Sequence, residues 1–260
     1  MTGTRPSLRT DRPGVSSLIV AGVAALLLVV FTLTSAWFPV FSLRTDIVVS
    51  MMLGASLLAL IVYGLLPLRA TGDRLLAFAA VGVLVAVAGH LVEVAAIFDL
   101  GKILLGATLG FWLGAKLAEL TGDVRWVAGI AVVVAVVDVV SVFASFGVTN
   151  LILTRSPETV PYFVVAFPTF GYSVHNGDYS ALGTADVIFF GLYLVSAAIF
   201  GLRVRLTAVA MAVSLVATVA LAMVWRALPA LPLMGLAFLA VNVDRLWAQM
   251  SSAAQGQRRA

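Results

Sequence analysis

The chain contains no cysteine, so disulfides, thiolate nucleophiles and Cys metal sites are excluded. Histidine occurs twice, at His90 and His175, too few for a His-rich metal centre. Charge is scarce as well. Asp, Glu, Lys and Arg make up 11% of the 260 residues, against about 25% in an ordinary soluble domain. A chain with so little polar surface cannot fold as a water-soluble globule. No run of Lys or Arg lies on a soluble face, so the net charge of +4 is no sign of nucleic-acid binding. What the chain has instead is apolar surface, with 62% hydrophobic residues and a mean hydropathy of +1.11. It reads as an all-α polytopic protein of the cell membrane, whose main solvent is lipid.

A spanning helix needs about 20 mostly apolar residues. Eight stretches qualify, at approximately 16–36, 47–67, 75–97, 103–120, 126–147, 183–202, 206–225 and 228–243. The first follows a basic N-terminus, but it is too long for a signal peptide and shows no convincing cleavage site. No internal repeat of the kind that marks many transporters is visible. Residues 1–124 hold the first four spans, and residues 125–260 hold the chemistry described below. In that second part the connection 148–182 stands out, with Pro157, Pro161, Pro168, Gly171 and Gly177. Long irregular connections are commonly functional. Its apolar piece 160–168 is too short to span, and reads as a short strand, a re-entrant piece or a greasy surface loop.

Orientation follows from the basic residues. With eight spans both termini share one side, and that side holds twelve of the 16 Lys and Arg. Only Arg44, Lys102, Arg155 and Arg226 fall on the other. The positive-inside rule places both termini in the cytoplasm and the 148–182 loop outside.

Ionisable groups within a membrane are costly and point to function. Three acids are expected inside spans: Glu93, Asp138 and Asp186. Neither Asp has a Lys or Arg within a turn or two along its own helix. One such Asp could simply bond to a neighbouring helix. Two on consecutive spans at one depth are harder to explain in that way. At about 1.5 Å per residue, Asp138 stands roughly 20 Å from Arg125, and Asp186 roughly 25 Å from Arg203. A facing carboxyl pair in a poorly solvated site shares one proton, so one member can activate water while the other protonates a carbonyl. The last span opens on Leu-Pro-Ala-Leu-Pro-Leu at 228–233. A proline at a helix start is ordinary, but two leave the segment irregular. Pro229 lies roughly 22 Å from Asp244, at the depth of the two Asp. His90 and Glu93 are three apart and are expected to share a helical face, as a proton relay or substrate contact, or more plainly as polar residues near the interface. Lys116 and Glu119 read as a snorkelling pair.

These residues resemble the presenilin and signal peptide peptidase family of intramembrane aspartyl proteases. That family has an Asp helix, then a Gly-x-Gly-Asp helix, then a Pro-Ala-Leu motif opening its last helix. The matching residues are Asp138, then Gly183, Thr184, Ala185 and Asp186, then Pro229, Ala230 and Leu231, in the same order and with the same long loop between the first two. The resemblance covers roughly residues 125–243. It departs at Val137, where the family usually has Tyr, at Ala185 in place of Gly, and in having eight spans where nine are typical.

The resemblance implies a presenilin-like bundle of about eight or nine transmembrane helices. It implies catalytic Asp138 and Asp186, with Gly183, Thr184, Ala185, Pro229, Ala230 and Leu231 binding substrate. The implied activity is hydrolysis of peptide bonds within transmembrane helices or signal peptides, with no metal or organic cofactor. The orientation matches signal peptide peptidase rather than presenilin. Residues 161–168 and 228–233 offer edges on which an extended substrate could pair. Three other readings stand beside it. One is a proton-coupled transporter or channel that uses His90, Glu93, Asp138 and Asp186 as protonation sites. Another is a prepilin-type peptidase, which the charge bias opposes. The third is a catalytically inactive binding protein of the same fold, which Ala185 keeps open. The sequence carries no signal for substrate identity or oligomeric state.

Overall fold

The computed structural model describes residues 15–38, 42–70, 72–147, 149–151, 159–167, 170, 180–225 and 228–259. Pro157, Pro168, Gly171, His175 and Gly177 lie outside the described residues, as do Arg5, Arg9, Arg12, Arg155 and Arg226. The elements run in the order α1 (Val15–Thr34), α2 (Leu43–Leu65), α3 (Gly72–Leu91), α4 (Ala95–Thr121) and α5 (Val124–Phe143). A single helical turn α6 (Val160–Phe163) leads into strand β1 (Val164–Phe167). Strand β2 (Ser180–Gly183) then enters α7 (Thr184–Ile199), followed by α8 (Val204–Trp225) and α9 (Leu231–Arg259). Among the described residues seven helices are long and apolar enough to cross a membrane, and α7 is a shorter apolar helix. The chain therefore reads as a helical, multi-pass membrane protein. Among the described residues it is helical apart from turns and one antiparallel strand pair, in which Val164 pairs with Gly183 and Phe167 with Ser180.

Lipid supplies no hydrophobic force between helices, so membrane helices associate by close backbone approach at small residues. The bundle is built that way. On α4, Gly106, Gly110 and Gly114 recur every four residues and face α7. A Cβ at Gly110 would run into the carbonyl oxygen of Ile188, and one at Gly114 would lie 3.0 Å from that of Leu192. Helices α3 and α4 approach equally closely at Gly89 and Gly101. The result is that α4 packs most extensively on α3 and α7, while α5 rests mainly on α9. Helix α7 lies deep in the bundle, with residues 190–197 buried without a break.

Several boundaries differ from expectation. Helix α3 ends at Leu91 rather than near residue 97. The chain turns at residues 92–94, where Glu93 takes a left-handed φ of 56°. Helix α4 begins at Ala95, about two turns earlier than expected, because Asp99 and Lys102 form an ion pair inside the bundle instead of marking its edge. The last helix starts at Leu231 and continues to Arg259, well past residue 243. The apolar piece of the long connection contains a strand, β1, as one of its readings proposed.

Candidate functional site

Helix α5 starts where the Asp123 carboxylate accepts the Arg125 N–H at 2.9 Å, a side-chain cap on the first turn. Its valines Val132, Val133, Val136 and Val137 face outward, as lipid contact requires. Asp138 is half-buried, and its Oδ2 accepts the backbone N–H of Leu231 at 3.0 Å. Leu231 is the first residue of α9, where helical N–H groups have no partner of their own. A carboxylate from another helix supplies the missing acceptor and meets the positive end of the helix dipole. The Pro-Ala-Leu segment thus delivers a donor to Asp138, with Pro229 buried and Ala230 half-buried just ahead of it.

The position of Leu231 is fixed by contacts along the first half of α9. Two turns below Asp138, a Cβ on Gly235 would lie 3.3 Å from the Ala131 carbonyl oxygen, so α5 and α9 pack backbone to backbone. Near the middle of α9 the Arg203 guanidinium holds Asp244 in a two-pronged contact of 2.9 and 2.7 Å. The fully buried Asn242 accepts the Arg203 N–H and donates to Thr207, both at 2.9 Å. Between these points Phe238 stacks on Tyr193 of α7 with ring centroids 4.9 Å apart.

Asp186 occupies the first turn of α7 and is 8% exposed. Its Oδ2 accepts the Gly183 N–H at 2.8 Å, the backbone half of a capping box. Gly183 has φ −62° and ψ 142°, which any residue can adopt, so its lack of a side chain is a matter of space. A Cβ there would stand 3.2 Å from Asp186 Oδ2. The Thr184 hydroxyl is buried without a hydrogen-bond partner among the described residues, and Ala185 is exposed. Asp138 lies close enough to Asp186 to act on its charge. Each is held through Oδ2 alone, and among the described residues no hydrogen bond joins them.

The other polar residues fall differently from expectation. His90 ends α3 and Glu93 lies in the turn after it, so they do not share a helical face. Both are exposed, and His90 instead packs beside the rings of Phe98 and Tyr162. Lys116 and Glu119 form an exposed pair at 2.7 Å. The buried acid missed in the sequence is Asp99, whose carboxylate meets Lys102 at 2.5 Å with both side chains 9% exposed. The Lys102 ammonium also donates to the Pro161 and Val164 carbonyls, and Asp99 accepts the Ala166 N–H. Alternate residues of a strand turn their backbone groups to opposite edges. Val164 and Ala166 therefore face α4, and Asp99 and Lys102 take the place of a third strand on β1. Within the expected 161–168 edge, the outer side of β1 is already filled, and Pro168 lies outside the described residues.

Among the described residues no three His, Asp or Glu side chains gather in a way that could hold a metal ion. Compared with known protein families, curated proteins and solved structures, the chain matches none.

Proposed function

We propose that the chain is an intramembrane aspartic endopeptidase of the presenilin and signal peptide peptidase type. It is an eight-helix bundle with both termini in the cytoplasm, and it cleaves within transmembrane helices or signal peptides. One observation carries the reading. Two carboxyl groups from separate helices are each held by a single backbone N–H that leaves its Oδ1 uncommitted among the described residues, with Asp138 near enough to act on the charge of Asp186. In the reaction one carboxylate takes a proton from water, and the water oxygen attacks the scissile carbonyl. The protonated partner gives its proton to the carbonyl oxygen, which makes a gem-diol. That adduct collapses with cleavage of the C–N bond: the carboxyl that took the proton from water passes it to the leaving amine nitrogen, and the other carboxylate takes a proton back from a gem-diol hydroxyl, which restores the pair.

A substrate helix hides its carbonyls in its own hydrogen bonds and must unwind to react. With β1 closed off by Asp99 and Lys102, and the Gly183 N–H held by Asp186, the backbone left on the hairpin edge for an extended segment is that of Ala181 on β2. That edge runs directly into the Asp186 turn. The exposed Ala185 then faces such a segment one residue before Asp186.

The test uses full-length protein in lipid and a single-span reporter. Wild type is expected to cut it, and Asp138→Asn and Asp186→Asn each to abolish cutting at equal folded amounts. The double variant should be little worse than either single, because the pair acts as one unit. Wild-type cleavage by either single variant would overturn the pairing. Reporter bound but uncut by wild type would point instead to an inactive binding protein of this shape.

A further inference from the structure

A groove of about 840 Å³ runs along the seam between α2 and α8, away from both carboxyl groups. Its floor is made of small residues, among them Ala59, Ala208 and Ala212. Its walls are Leu60, Val209 and Val213, which are 44%, 61% and 61% exposed. One end carries polar groups. Tyr63 is in the last turn of α2 and Arg205 in the first turn of α8. From Arg205 to Ala217 the groove follows α8 for about 18 Å, slightly more than one leaflet of a hydrocarbon layer about 30 Å thick. Tyr is a residue of the membrane–water interface, so this end belongs at headgroup level.

Arg205 differs from the cations around it. Arg203 is committed to Asp244, and Arg245 donates to the Gly201 carbonyl at 2.7 Å. Arg205 is exposed and has neither ion-pair nor hydrogen-bond partner among the described residues. An apolar channel one leaflet long, headed by a single uncommitted guanidinium, matches a lipid with a net negative headgroup. We propose that this groove binds one anionic glycerophospholipid, with an acyl chain on the alanine floor and the headgroup phosphate on Arg205. The site does not depend on the proposed protease activity.

The experiment is native mass spectrometry of the full chain in detergent, titrated with phosphatidylglycerol or phosphatidylcholine of identical chains. Wild type is expected to retain one phosphatidylglycerol in preference to phosphatidylcholine. Arg205→Gln should weaken phosphatidylglycerol retention about fivefold and leave phosphatidylcholine unchanged, removing the preference. Ala212→Leu fills the floor from the open side and should weaken both lipids. Arg74→Gln, which removes an exposed cation elsewhere, should change neither. Three results would overturn the proposal. The first is equal retention of the two lipids by wild type. The second is an equal loss in Arg205→Gln and Arg74→Gln, which would mark a diffuse surface charge. The third is a dimer that Ala212→Leu dissociates, which would make the groove a seat for a second copy of the chain.

Discussion

Replacing Gly183 by alanine separates the geometry of the proposed catalytic pair from stability. The backbone there is extended and suits an L-residue, so the substitution stores no strain. Two small effects on folding oppose each other. Alanine restricts the unfolded chain and gains about 0.4–1 kcal/mol. Alanine is also a poorer helix N-cap than glycine, and loses about 0.5–1 kcal/mol. The melting temperature in detergent should therefore stay within a degree or two of wild type.

The new methyl nevertheless lies 3.2 Å from Asp186 Oδ2 and 3.7 Å from its Cγ, inside ordinary contact distance for the oxygen. The carboxylate must retreat by a few tenths of an ångström and lengthen its 2.8 Å bond to the Gly183 N–H. A misplacement of about 1 Å costs on the order of 100-fold in rate, so a shift of about 0.3 Å should cost about fourfold. Valine adds bulk and stiffness at χ1 and should cost more. The assay is the initial cleavage rate of one transmembrane reporter by Gly, Ala and Val proteins at equal folded amounts. Wild-type rates throughout, or losses that simply follow a falling melting temperature, would refute the assignment of Gly183 as the space that seats Asp186.

Lys102→Met should destabilise the bundle by about 3–5 kcal/mol, because it leaves Asp99 buried and unpaired. Adding Asp99→Asn should recover part of that loss, as read by thermal unfolding, and no recovery would mean that the pair is not coupled. Gly110→Val should break the α4–α7 contact and lower both stability and cleavage. In contrast Gly129→Ala, in open space within α5, should stabilise by about 0.5–1 kcal/mol. Reporter fusions after Ala260 and within 148–182 should read cytoplasmic and extracytoplasmic respectively, and a tail reporter active only outside would reverse the orientation.

Hydrophobic length made the spans legible, because no other signal is so strong in a chain this apolar. The order of Asp138, Asp186 and the Pro-Ala-Leu segment was legible too, and the structure adds the bond from Leu231 to Asp138. Charges misled the reading where they neutralise one another. Asp99 and Lys102 looked like a boundary because a lone charge marks the membrane edge, whereas a matched pair three residues apart can be buried. Glu93 misled in the opposite sense. It is flanked by Val92 and Val94, and the nearest glycine, Gly89, sits four residues back inside α3, so no Gly or Pro marked the turn itself. The four-residue spacing of Gly106, Gly110 and Gly114 was a usable signal for the α4–α7 contact and went unread. The far end of α9 escaped because beyond residue 243 it turns polar, and hydropathy alone stops there.

The sixteen residues of α7 cover about 24 Å, while the hydrocarbon layer is about 30 Å thick. The shortfall falls at the Asp186 end, since at the other end the chain passes straight into α8 through Leu202 and Arg203. A lipid tail cannot fill the missing turn without lying against the backbone groups of the hairpin. Water can, and the proposed hydrolysis would need water at that spot. If the proposed protease reading holds, bilayer thickness becomes a control on its rate. Longer-chain lipids sink the carboxyl pair further from the aqueous phase, and shorter ones bring it nearer. A change of host membrane would then alter turnover with no change in the protein.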